Sequence, residues 1–180
     1  QTCALPIFEL LGRDPLAYTD VASPFRAAPA ECGCWFVGAD DSADALVDAH
    51  LARAVDAIRA NAPSVETIVV TGGFGRGEGT PLVRDGVRVP ANDYDLLATG
   101  HGAPALDGMG DALAREFGMD FVDLASGAPI ARRAITHLSD FDLRYGSRVL
   151  LGDPVAPERA GSPAPADVDI VEATFLVGNR

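Results

Sequence analysis

Apolar residues recur every three or four positions from Ser42 to Asn61, with Val47, Leu51, Val55 and Ile58 on one stripe. That period predicts an amphipathic helix, capped by Asp41 or Ser42 and stopped at Asn61-Ala-Pro63. The pattern then changes to a continuous, largely β-branched run from Val65 to Thr71, which predicts a buried strand broken sharply by the glycines that follow. Pro81 to Pro90 reads as a small hairpin turning at Asp85-Gly86. Asp93 to Thr99 forms a second core strand. Ala105 to Phe117 predicts a short helix with Leu106, Met109, Leu113 and Phe117 on one face. Met119 to Leu124 is expected as a third strand, Ala131 to Leu138 as another helix, and Arg148 to Leu151 as a fourth short strand ended by Gly152-Asp153-Pro154. This order predicts an α/β (α+β) domain, a small mixed β-sheet flanked by helices.

The ends of the chain differ from its middle. Residues 1–40 show no sustained period and are expected to form a loose lead-in. Within them, residues 1–7 lack an initiator methionine and read like the translation of a sequencing-library adapter, so they are set aside as an artefact. The predicted core is 41–155. Residues 156–180 are expected to be a Pro/Ala/Gly linker and the start of a C-terminal helical region cut short by the end of the chain. There is no internal repeat.

Composition narrows the chemistry. A chain of 180 residues with 48% hydrophobic content can build one core, and no apolar run reaches the roughly 20 residues needed to span a bilayer. A net charge of −12 argues against an extended nucleic-acid footprint, which needs a basic stripe, but not against a nucleotide whose charge metal ions offset. All 14 basic residues are arginine, which excludes a P-loop lysine, Schiff-base chemistry and a Ser-Lys dyad. Cys3, Cys32 and Cys34 do not combine with His50, His101 and His137 at zinc-site spacing, so reduced thiols and a cytoplasmic location are expected.

The densest chemistry lies between residues 72 and 98. Gly72-Gly-Phe-Gly-Arg-Gly-Glu-Gly79 follows the first strand, and Asp93 and Asp95 begin the second at D-x-D spacing. On a strand, such residues leave the same face with Cα atoms roughly 6.5–7 Å apart, while Tyr94 turns the other way. Two parallel carboxylates opposite a backbone able to cradle phosphates suit divalent metal ions and a nucleoside triphosphate. Val89 before the pair and Leu96-Leu97 after it predict a setting where unpaired charge is costly. Gly73 is expected to need a positive φ and close approach to phosphate. Arg76 is a candidate phosphate contact, although a solvated turn residue would read the same way. The loop lacks the G-x-G-x-x-G register and a following G-K-[ST], and no Ca²⁺ ligand ladder is present.

Taken together, these residues resemble the DNA polymerase β-like nucleotidyltransferase superfamily. Gly72-Gly73 match its turn and Asp93-Tyr-Asp95 its D-x-D, while Asp123 in Phe121-Val-Asp-Leu124 looks like its third acid. Gly73-Phe-Gly-Arg-Gly-Glu78 is similar to the turn of uridylyltransferases that modify a nitrogen-regulatory protein, and the resemblance spans about residues 42 to 154. It implies a polymerase β-like nucleotidyltransferase fold and transfer of a nucleoside monophosphate from an NTP to a hydroxyl acceptor with release of pyrophosphate. Two Mg²⁺ ions would be held by Asp93, Asp95 and Asp123. The acceptor, a small molecule or a protein, stays open, as does a second reading in which the same fold binds nucleotide or a partner without catalysis. Two departures stand out: Gly73 occupies a position where many members carry serine, and the Pro81–Pro90 hairpin lengthens the interval to the D-x-D. Asp120 is expected at the exposed start of the third strand, pointing away from the acidic pair.

Overall fold

The computed structural model of the chain describes residues 35–36, 41–101, 106–130, 143–144 and 146–153. Helix α1 (Asp41–Asn61) leads into strand β1 (Thr67–Thr71), and the glycine segment then forms one helical turn, α2 (Gly72–Gly75). Strands β2 (Pro81–Arg84) and β3 (Val87–Pro90) make a separate hairpin. Asp85 and Gly86 at its tip have φ of 53° and 79°, the paired left-handed conformation that matches the twist of a tight hairpin. Strand β4 (Tyr94–Thr99), helix α3 (Met109–Phe117), β5 (Val122–Gly127) and β6 (Arg148–Leu151) complete the core.

The main sheet has the order β5-β4-β1-β6, with β4 and β5 parallel and the β1–β4 and β1–β6 pairs antiparallel. The protein is thus a small mixed α+β sheet flanked by helices. One sheet face carries Val70, Tyr94, Leu96 and Val122, which pack with Val47, Leu51 and Ala54 of α1 and Leu113 of α3. Strand alternation sends the odd-numbered residues to the other face, where Val69 and Leu97 meet Ile130 and Leu143. Among the described residues, no helix is long and apolar enough to cross a membrane.

Several boundaries depart from the sequence pattern. Helix α3 begins at Met109 rather than Ala105, because Gly108 just before it is left-handed at φ 71°. Strand β5 runs from Val122 to Gly127, three residues later than expected, since the left-handed Gly118 caps α3 and the chain needs Met119 to Phe121 to re-enter the sheet. The lead-in is anchored where it is described: Trp35 and Phe36 are buried in the core beneath the glycine turn. The expected helix at 131–138 and the expected linker and helix beyond 154 lie outside the described residues.

Candidate functional site

Strand β1 delivers the glycine turn to the same edge of the sheet at which β4 and β5 begin. Antiparallel pairing sets Thr71 opposite Asp95, and the parallel β4–β5 register sets Asp95 opposite Asp123. Paired residues on neighbouring strands share a face, so Asp95 and Asp123 leave the sheet together. Tyr94 and Val122, paired with each other, go to the opposite, buried face. Asp93 lies one residue before β4 and is exposed, Asp95 is half-buried, and Asp123 is exposed at the second position of β5. The costly apolar setting inferred for both members of the D-x-D therefore does not apply to Asp93, which is exposed just before the strand begins. Among the described residues, no three His, Cys, Asp or Glu side chains are drawn together as a ready-made metal group.

Gly72 is where the turn meets the carboxylates. Its φ is +63°, and a Cβ there would overlap Asp95 Oδ2 and stand 2.9 Å from Asp95 Cγ. Only glycine lets the backbone lie this close to the acid. Gly73 differs from expectation: it is not left-handed, and its nearest neighbour would be Asn92 Nδ2 at 3.9 Å. The positive φ expected at Gly73 sits at Gly72 because the chain reverses at the strand end, one residue earlier. Arg76 is neither free nor simply solvated. Its Nε donates to Glu78 Oε2 at 2.7 Å, and its side chain is only 11% exposed.

The turn is braced from below. Trp35 N donates to Asp44 Oδ1 and Trp35 Nε1 to Asp48 Oδ1, each at 2.7 Å, fixing the indole against α1. Gly79 N in turn donates to Trp35 O at 2.9 Å, and Phe36 packs edge-on against Phe74. The Arg148 guanidinium lies 4.3 Å from the centre of the Trp35 ring, and its Nε donates to Gly75 O at 3.2 Å. Burial works against the Arg148 charge and lowers its pKa, while the Asp44 and Asp48 carboxylates oppose that shift. None of this brace was read from the sequence. The available signals were two adjacent aromatics ahead of α1 and acids spaced i, i+4 on the helix.

Beneath the D-x-D, Tyr94 reaches His50 of α1 (Oη to Nδ1, 3.1 Å), and His50 stacks on Phe117 of α3 at 4.3 Å between ring centres. Burial pushes the Tyr94 phenol above its ordinary range and the His50 imidazole below its own. A cleft of about 240 Å³ opens between the β2–β3 hairpin and the α3–β5 connection. Asp93 and Asp120 both line it, Asp120 being exposed two residues before β5 and off the Asp95–Asp123 register.

No protein-family model matches this chain, and no curated protein matches it. Similar solved structures include a toxin–antitoxin crystallised with AMP-PNP, at 20% identity and a TM-score of 0.42, covering 72% of this chain and 91% of that one. Another is a mutant of the toxin–antitoxin MntA-HpeT, at 18% identity and a TM-score of 0.40, with the same coverage of 72% and 91%.

Proposed function

We propose that this chain is a nucleotidyltransferase that moves a nucleoside monophosphate from an NTP to a hydroxyl acceptor and releases pyrophosphate. One observation carries the reading: Asp95 and Asp123 are register partners on the same face of β4–β5, at the point where the backbone of Gly72 closes on Asp95. Backbone N–H groups of the turn would receive the β and γ phosphates, with Arg76, held by Glu78, as a charged contact beside them. Asp93, Asp95 and Asp123 would hold magnesium. An open set of carboxylates suits that ion, which keeps several waters and takes substrate phosphate oxygens as ligands rather than filling an all-protein cage. When bound, it supplies charge neutralisation and acidifies the attacking hydroxyl.

In the transfer, the acceptor oxygen attacks the α-phosphorus and its proton passes to a carboxylate of the site. The bond to the bridging oxygen breaks, and pyrophosphate leaves with the electron pair. The chain contributes mostly alignment and fixed charge, as phosphoryl transfer requires. A second reading, nucleotide binding without transfer, is favoured by the absence of a hydroxyl at Gly73. Pyrophosphate release from labelled NTPs with and without Mg²⁺ separates the two: metal-dependent release supports the enzyme, and saturable binding with no release supports the binding module.

A further inference from the structure

Asn92, the residue before Asp93, reaches back to the glycine turn. Its Oδ1 accepts from Thr80 N at 2.8 Å, and Ala91 N donates to Thr80 O, also at 2.8 Å, so side chain and neighbouring backbone are both tied. The Thr80 N–H requires an oxygen opposite it, so the other end of the amide is Nδ2, which can only donate. That end lies beside Gly73: a Cβ built there would have Asn92 Nδ2 at 3.9 Å and no other atom within 4 Å. Among the described residues, Nδ2 has no hydrogen-bond partner. A fixed, half-buried amide donor therefore borders open space at the turn, one residue ahead of the D-x-D.

We propose that Asn92 is a phosphate-binding residue, its Nδ2 donating to a non-bridging oxygen of a triphosphate seated at the turn. The proposal rests on the nucleotidyltransferase reading, which puts the triphosphate there. Gly73 and Asn92 then act as a pair. The absent side chain leaves room for a phosphate oxygen, and the amide supplies the donor that no hydroxyl at residue 73 provides. A neutral donor suits the position. It hydrogen-bonds a charged oxygen, yet brings no cation against the adjacent Asp93 carboxylate, which stays available to a metal. Gly73 is not left-handed, so its backbone does not require glycine, and a hydroxyl can be returned to that space by substitution.

The test uses the full chain with Mg²⁺. Affinity is read by calorimetry with the α,β-methylene analogues of the four NTPs, and transfer by pyrophosphate release from the NTPs themselves. Asn92→Ala removes the donor together with the acceptor for Thr80 N. Asn92→Asp keeps the shape and that acceptor but puts an oxygen where the donor was, so it should melt close to the parent. We expect both to weaken triphosphate binding about tenfold or more, as the loss of one hydrogen bond to a charged group implies, with Asn92→Asp at least as impaired as Asn92→Ala. Adding Gly73→Ser to Asn92→Ala places a hydroxyl in the same space and should recover most of the affinity. Parental affinity in Asn92→Asp would reduce Asn92 to a structural tie. Parental affinity in Asn92→Ala, or no recovery from Gly73→Ser, would equally overturn the contact. The two readings fail separately. Binding by the parent without pyrophosphate release overturns transfer and leaves the contact to be decided by the affinities, whereas a parent that binds no analogue overturns both.

Discussion

Asp95 on β4 stands directly across from Asp123 on β5, and both leave the sheet on the face opposite Tyr94 and Val122. The parallel register makes two acids that are 28 residues apart in sequence into neighbours. If they act together on one metal-bound triphosphate, either isosteric amide should abolish transfer. Asp95→Asn and Asp123→Asn should each lower kcat/KM by about a hundredfold or more, with circular dichroism and Tm close to the parent. Retention of more than a few per cent of activity in both would remove the acids from the mechanism.

The contact between Gly72 and Asp95 yields a contrast between adjacent glycines. Gly72→Ala must place a Cβ against the Asp95 carboxylate at φ +63°, so it should cost about 1–2 kcal/mol in backbone conformation plus displacement of the acid. Gly73→Ala meets nothing nearer than Asn92 Nδ2 at 3.9 Å and should leave Tm within about 0.5 kcal/mol equivalent of the parent. Thermal melts of the two variants, with NTP titration by calorimetry, check this. Equal effects would mean the turn does not press on Asp95.

Much of this arrangement was legible in the pattern of residues, because local features dictated it. The α1 stripe, the strand ending at Thr71, the Asp85-Gly86 hairpin and the inward turn of Tyr94 all follow from periodicity and turn chemistry. Where the pattern misled, a non-local contact decided. Gly72 rather than Gly73 is left-handed because of where the strand ends against Asp95. Strand β5 starts late because Gly118 closes α3. The sequence also offered no period around Trp35, whose position is set by two acids on a helix and an arginine from β6.

That last group makes Trp35 a support for the turn. Trp35→Ala removes a large, nearly buried side chain and the platform under Arg148, and should cost about 3 kcal/mol or more. Arg148→Met keeps much of the packing but leaves Gly75 O without its guanidinium donor, at a cost of about 1–3 kcal/mol. Because Gly75 lies in the turn, both variants should also weaken NTP binding. Denaturant melts combined with nucleotide titration would show it; loss of stability with unchanged nucleotide affinity would reduce the brace to ordinary packing.

His50 links the fold to pH. Its imidazole is stacked on Phe117 and bonded to the Tyr94 hydroxyl, and burial lowers its pKa below the ordinary value of 6.5. The folded state thus resists protonation more than the unfolded chain does. The neutral ring contributes stability that is fully present above about pH 6.5 and is lost as pH falls toward the depressed folded value. Carboxylates elsewhere also titrate on acidification, so the readout is a difference between proteins. The gap in unfolding free energy between the parent and His50→Gln should be widest near neutrality and narrow as pH falls below about 6.5. Tyr94→Phe should lower stability by about 1 kcal/mol at neutral pH, the value of one lost hydrogen bond, without emptying the core. A gap between parent and His50→Gln that stays constant across this range would mean that protonation of His50 is not coupled to folding.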